Sequence, residues 1–323
     1  MYYVGVDIGG MSLKAGLVDE RGVISASKAV PTRAKAPSEE IVSDLAGLVA
    51  SLLESEGLTV KDIGGIGIGS PGSVNDAAGT VRYSCNINFR MTPIVAMLKE
   101  ALGADRVAIS NDANCAALGE TLFGAGRGAK NSVTVTLGTG IGTGIVADGR
   151  LVTGNGSAGA EGGHMCIAYG GELCGCGKRG CYEAYASVSA LIRQTERAME
   201  AHPESLMHEI AKEEGVNGKT AFIAMKRGDK VAKEVVDTYI GYVGAGMVNF
   251  ANIFWPEVFI VGGAISREGD TLILPLREYI AANIHSAAYN PPIEVVAATL
   301  GGDAGIVGAA ALVMERPPRA KLH

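Results

Sequence analysis

Residues 2–18, YYVGVDIGGMSLKAGLV, and residues 131–150, NSVTVTLGTGIGTGIVADGR, carry the same grammar twice. In the first, apolar and small residues alternate from Tyr2 to Ile8, stop at Gly9-Gly10 and resume from Leu13 to Val18, with a third strand ending near Val30. In the second, a strand from Asn131 to Leu137 enters the turn Gly138-Thr139-Gly140-Ile141-Gly142, resumes from Thr143 to Ala147, and turns again at Asp148-Gly149-Arg150 before a third strand. Asp7 and Thr136 hold matching places just before the two glycine turns. Strand, glycine turn, strand, turn, strand, followed by alternating helices and strands, predicts an α/β fold of two lobes related by internal duplication. The cleft between the lobes is the expected site.

Outward from these stretches, Ile41, Leu45, Leu48, Val49, Leu52 and Leu53 recur at helical spacing, which predicts a helix from Ser38 to Glu56 with Ser38 as cap and Gly57 as stop. Strands are expected at Ile63–Ile68 and Val107–Ser110, a helix at about Pro93–Leu102, and another helix after Asp112. In the second lobe the pattern predicts helices at Ala184–Glu200 and Lys230–Ile253, a buried strand Val258–Val261, a helix near Leu272–Ile284, a strand Ile293–Ala297 and a last helix Gly305–Met314. The tail after Pro317 reads as frayed. The small lobe is therefore residues 1–122, completed by 304–323, and the large lobe residues 123–303.

At 323 residues the chain can bury one large core or two moderate ones. Its 46 glycines are about twice the usual ~7% share, which points to tight turns and close backbone approach. A net charge of −6 without a basic block argues against nucleic acid as partner. No apolar run approaches the ~18 residues of a membrane helix, and the N-terminus opens as a strand, so a cytoplasmic protein of small-molecule metabolism is expected.

Between Glu161 and Glu183, His164, Cys174, Cys176 and Cys181 offer one imidazole and three thiols, a set that suits tetrahedral Zn2+. Cys174 and Cys176 are too close in sequence to bridge, so a disulfide fits poorly. With all four positions filled by side chains, such a zinc would be structural. Glu161 and Glu183 bracket the ligands and would be held in fixed positions.

The two glycine turns can present backbone N–H groups to phosphate, and Asp7 could hold a hydrated Mg2+, although a plain structural turn accounts for either one alone. Thr139 and Thr143 add hydroxyls to the second cradle. Neither turn opens a helix in the manner of a dinucleotide fingerprint, and the P-loop pattern is absent. Asn111-Asp112 lies where a strand passes into a helix, so Asn111, Asp112 or Asn114 could serve as cap. Beside two phosphate turns and a bracketed metal set, a carboxylate that takes the proton of an attacking sugar hydroxyl is the better account of Asp112.

With these residues in place, the chain resembles the ROK family over essentially its whole length, and within it the bacterial ATP-dependent glucokinases. Asp7-Ile8-Gly9-Gly10 is similar to the family's first phosphate motif, Ser110–Asn114 to its catalytic segment, Leu137–Thr143 to its second phosphate motif and Cys174–Glu183 to its zinc signature. The resemblance implies an actin-like, RNase H-like kinase that transfers the γ-phosphoryl of MgATP to a hexose, usually at O6, to give glucose 6-phosphate. It implies Asp112 as base, and sugar contacts from Gly72, Asn86, Asn111, Asp112, Glu161, His164 and Glu183. ATP and its phosphates would meet Asp7, Gly9, Gly10, Ser12, Lys14, Gly138, Thr139, Gly140, Gly262 and Gly263. His164, Cys174, Cys176 and Cys181 would hold structural Zn2+, and a homodimer or tetramer is plausible.

Met11 departs from the Thr usual after the family's Gly-Gly, which implies weaker positioning of phosphate. Family repressors carry a DNA-binding segment ahead of the first motif, and here that motif begins at residue 4, so a repressor is not expected. Fructose, allose, N-acetylglucosamine and N-acetylmannosamine are alternative sugars. A sugar- or nucleotide-responsive binding protein without turnover is the alternative of a different class.

Overall fold

The computed structural model describes residues 1–314. The tail beyond Pro317, expected to fray, lies outside the described residues. By the density of internal contacts the chain divides into two units, one of Met1–Arg127 with Leu151–Gly159 and the chain from Gly302, the other of Gly128–Arg150 with Ala160–Gly301.

The first unit opens with the expected meander, β1 (Tyr2–Ile8), β2 (Ser12–Asp19) and β3 (Ile24–Pro31), followed by α1 (Ser38–Ser55) and β4 (Ile63–Ser70). Three short strands that periodicity did not reveal come next: β5 (Ser73–Asn75), β6 (Thr80–Tyr83) and β7 (Arg90–Thr92). Then come α2 (Ile94–Leu102), β8 (Val107–Asn111) and α3 (Asp112–Leu122). The main sheet has the order β3-β2-β1-β4-β8, antiparallel through β1 and parallel beyond it. The C-terminal helix Ala304–Ala311 lies directly on this sheet. A Cβ placed on Gly5 would come within 1.9 Å of Ile306 O, and one on Gly67 within 1.7 Å of Ala309 O, so strand glycines here set how closely the helix approaches.

Helix α1 begins at Ser38 itself, with Pro37 in the cap position and no side-chain cap bond, so Ser38 is not the cap its residue type suggested. Gly57 does stop it. At φ +68 it lets Leu58 N–H reach Leu53 O at 2.9 Å and its own N–H reach Glu54 O at 3.1 Å, the paired closure of a Schellman turn.

The second unit repeats the plan with β9 (Ser132–Leu137), β10 (Ile141–Ala147) and the two-residue β11 (Arg150–Leu151). The helix expected over Ala184–Glu200 is two, α4 (Tyr182–Ala186) and α5 (Val188–Ala201). Extended backbone at Ser187 breaks it, and the Ser187 hydroxyl accepts from Ala190 N–H at 3.1 Å to cap α5. After them come the unforeseen α6 (Met207–Glu214) and α7 (Thr220–Lys226), the 25-residue α8 (Lys230–Phe254), β12 (Val258–Gly262), α9 (Asp270–Asn283) and β13 (Glu294–Ala297).

The sheet order β11-β10-β9-β12-β13 reproduces that of the first unit strand for strand, again antiparallel up to the first-born strand and parallel after it. Two such sheets place the chain in the actin-like, RNase H-like α/β class. Leu151–Gly159, which sequence grouped with the large lobe, packs within the first unit: the Ser157 hydroxyl donates to the Asp76 carboxylate, and Asp76 N–H donates back to Ser157 Oγ at 3.3 Å. Among the described residues no helix is long and apolar enough to cross a membrane.

Candidate active site

In the second unit the chain that follows β11 and the Leu151–Gly159 segment folds into a one-turn helix at Gly162–His164, closed by His164 N–H donating to Glu161 O at 3.0 Å. It leaves both Glu161 and His164 exposed. The chain then runs to a tight knuckle in which Gly177 N–H bonds Cys174 O at 2.9 Å and Cys174 N–H bonds Lys178 O at 2.8 Å. These turns gather His164, Cys174, Cys176 and Cys181 so that one ligand atom of each lies within 4.8 Å of all the others.

Cys174 Sγ stands 3.7 Å from His164 Nδ1, and Cys176 Sγ 3.6 Å from Cys181 Sγ. A tetrahedral zinc with bonds near 2.3 Å spaces its sulfurs about 3.8 Å apart, so the set fits that ion. Burial pushes the Cys174 and Cys181 thiols up, while the Lys178 amide on the sulfur pulls exposed Cys176 down. A divalent cation would overcome the first effect and benefit from the second. Nδ1 is the nitrogen nearest the sulfurs, which leaves Nε2 on the other side of the ring.

Glu183, in the first turn of α4, is held at one carboxylate oxygen and reaches the cysteine set with the other. Oε2 accepts Ile141 N–H at 2.9 Å and Oε1 lies 3.5 Å from Cys174 Sγ. The same side chain thus touches the metal set and the glycine turn. A Cβ on Gly140 would fall 2.3 Å from Oε2, so the turn must be bare there. The turn closes by Gly138 N–H to Gly140 O at 3.0 Å and is tied to α5 by Val188 N–H to Gly138 O at 2.8 Å, with Thr139 exposed at its tip.

Thr143 differs from expectation. Its hydroxyl donates to Ala160 O at 2.5 Å and accepts from Gly162 N–H at 2.9 Å, so it braces the Glu161–His164 loop rather than extending the phosphate cradle. Gly262 and Gly263 pass over the end of β9. Gly263, at φ +89, has Leu137 O where a side chain would sit, 2.0 Å from the Cβ position.

In the first unit Asp7, the penultimate residue of β1, lies opposite Lys14 of β2. Burial raises its carboxyl, with Lys14 partly offsetting the shift. A Cβ on Gly305 would stand 3.0 Å from the Asp7 carboxyl carbon, so the glycine keeps the N-terminus of the last helix open to it. Sequence reasoning overlooked Gly305. It also overlooked Thr32, whose hydroxyl donates to Gly9 O at 2.6 Å and whose N–H donates to Met11 O at 3.0 Å, holding the first glycine turn from β3's end. Gly10 is exposed, Ser12 and Lys14 are half-buried, and Met11 is 90% exposed.

At the β8–α3 junction the three candidate caps separate. Asn111 Oδ1 accepts Ala113 N–H at 2.9 Å and Asn114 N–H at 3.4 Å, so Asn111 is the cap. Its Nδ2 donates to Gly72 O at 3.2 Å, which ties the Ser70-Pro71-Gly72 turn to the catalytic segment. Asp112 takes the first helical position, where the helix dipole favours its charge. Cys115, fully buried one turn on, is pushed well up by burial and then by the negative charges of Asp112 and Asp7. Asn86 is exposed beside Gly10, its Cβ 3.8 Å from where a Gly10 side chain would begin.

Duplicated α/β units, each with a glycine turn between its first two strands and one with a Cys3His loop behind that turn, define a class of actin-like phosphotransferase folds. The chain belongs to the ROK family, whose model matches residues 3–316. It is 39% identical to a glucokinase of Streptomyces coelicolor over 320 residues, 98% of each chain, and 38% identical to a glucokinase of Thermotoga maritima over 315 residues, 97% of each. A solved ROK glucokinase of Streptomyces griseus, in complex with glucose and AMPPNP, is 38% identical and superposes with TM-score 0.78, covering 97% of this chain and 99% of that one.

Proposed function

We propose that this protein is an ATP-dependent glucokinase that transfers the γ-phosphoryl group of MgATP to glucose O6. The observation that carries the chemistry is the division of labour at the β8–α3 junction. Asn111 caps the helix and grips Gly72, while Asp112, whose Oδ1 also accepts Ala113 N–H at 2.9 Å, opens α3 beside it, and its carboxylate is assigned to take the proton of the sugar hydroxyl as the O–P bond forms. ADP leaves as the bond to the β-phosphate oxygen breaks. Relatives 37–39% identical over nearly the whole chain are named glucokinases, which supports glucose as the sugar.

Gly72, Asn86 and Asn111 are assigned to sugar hydroxyls with Asp112, as are Glu161, His164 and Glu183. His164, with Nδ1 on the metal, would keep its proton on Nε2 and so be a fixed donor to a hydroxyl. The backbone turns Gly9-Gly10 and Gly138-Thr139-Gly140, with Ser12 and Lys14, are assigned to ATP phosphates, and Gly262-Gly263 to the adenosine. Asp7 would hold hydrated Mg2+, which when bound neutralises the charge of the phosphates. His164, Cys174, Cys176 and Cys181 would hold zinc, which supplies rigidity.

The protein would act in the cytoplasm at the entry to glycolysis, as a homodimer or tetramer without nucleic acid. A coupled ADP-release assay with Mg2+ and ATP over hexoses and N-acetylhexosamines tests the proposal. Glucose should give the highest kcat/KM. Background ADP release with every sugar, despite measurable ATP binding, would overturn it.

A further inference from the structure

We propose that Cys166 is an oxidation site that governs the metal centre, pairing with Cys181 under peroxide and so expelling the zinc. The inference rests on the zinc assignment above and adds a thiol that this assignment leaves idle. Cys166 is exposed, two residues past His164, and stands outside the four-residue ligand set. It nevertheless faces a ligand. Cys166 and Cys181 form an isolated antiparallel bridge, flanked by Tyr182 N–H donating to Met165 O at 2.7 Å and Ile167 N–H donating to Gly180 O at 2.8 Å.

Those two bonds lie on either side of the pair, which makes it a non-hydrogen-bonded one. Such pairs have Cα atoms about 4.5 Å apart and side chains on one face, inside the ~4.4–6.8 Å range of a disulfide. The neighbouring residue leaves space: Gly180 has no side chain, and a Cβ there would stand 3.2 Å from Cys166 Sγ. To form the bond, the Cys166 side chain would turn from Gly180 toward Cys181.

The chemistry balances with hydrogen peroxide as the two-electron oxidant. The Cys166 sulfur attacks one peroxide oxygen, the O–O bond breaks, and hydroxide leaves from a sulfenic acid. The Cys181 thiolate, leaving the metal, then attacks the Cys166 sulfur and displaces the second oxygen as hydroxide, which is protonated to water. Two sulfurs have lost two electrons, one S–S bond has formed, and the metal has lost one of its four ligands. The remaining Cys174, Cys176 and His164 no longer close a tetrahedron. Because His164 belongs to both the metal set and the sugar assignment, loss of zinc would release its ring and weaken sugar binding.

The test uses full-length, reduced, zinc-loaded protein treated with hydrogen peroxide, reading zinc release with a chromophoric chelator and the disulfide by non-reducing peptide mapping. Wild type should release its zinc together with formation of a Cys166–Cys181 linked peptide, and dithiothreitol with added zinc should reverse both. Cys166→Ser should keep its zinc content and basal turnover, give no such peptide, and release zinc about tenfold more slowly. Release at the wild-type rate from Cys166→Ser, or a Cys176–Cys181 link as the main product, would overturn the proposal. If the reduced protein carries no zinc, the metal assignment fails by itself. The peptide map then still decides the pairing, a Cys166–Cys181 link sustaining it and its absence sinking it.

Discussion

Asn111 and Asp112 are adjacent, both cap-forming by type, and do different things. One amide makes three hydrogen bonds and fixes two loops, while the carboxylate next to it starts the helix. Asp112→Asn should therefore fold and bind sugar and ATP like wild type, yet lose on the order of 10²–10⁴ in kcat, the usual contribution of a positioned base. Steady-state kinetics beside calorimetric binding checks this, and near-normal turnover would remove the base assignment. The place of Asp112 at a strand-to-helix junction was legible in the sequence, because a buried strand gives way there to helical spacing. Which of the three residues caps was not, since that depends on side-chain torsions. Thr143 shows the opposite limit, for its position in a glycine turn suggested a phosphate donor, whereas two backbone groups from Ala160 and Gly162 use its hydroxyl.

Among the elements, the glycine turn between β9 and β10 has the most to lose from a small change. Its geometry is set by Glu183, whose Oε2 holds Ile141 N–H and occupies the space of any Gly140 side chain. Gly140→Ala should push that carboxylate away and break a charge-assisted hydrogen bond, at a cost of about 1.5–3 kcal/mol. The expected result is a roughly tenfold or greater fall in kcat/KM with the circular dichroism spectrum unchanged. Wild-type kinetics in that variant would show that Glu183 does not organise the turn.

Strong periodicity made α1, α8 and the two meanders legible. The short β5–β7 strands, α6 and α7 were not, because runs of three to eight residues hold too few turns or alternations to register. The break at Ser187 was hidden for a related reason: apolar spacing runs on through it, and only the capping hydroxyl marks the end of one helix and the start of the next.

Over the molecule as a whole, the metal loop is the part whose order depends most on something other than apolar burial. Cys174 and Cys181 join a small core with Ala184 and Tyr185, but Cys176 and His164 are exposed, so on the zinc assignment a bound ion would be what mainly holds them. Cys176→Ser, or chelation of the wild type, should lower the melting temperature by several degrees and raise the sugar KM before ATP binding is affected. Calorimetry and metal analysis decide it; unchanged melting after complete zinc removal would show that the loop needs no ion.

The sequence by itself determined the duplication, the two glycine turns, the Cys3His ligand set and the family, because each is a local pattern of residue types at fixed spacing. Tertiary structure alone decided that Glu183 joins the metal set to the second turn, that Gly305 and Thr32 shape the surroundings of Asp7 and Gly9, and that Cys166 faces Cys181. The physical reason is that these are contacts between segments or across a loop. Their existence depends on backbone register and on where a side chain is missing, and neither is written in the identity of a single residue.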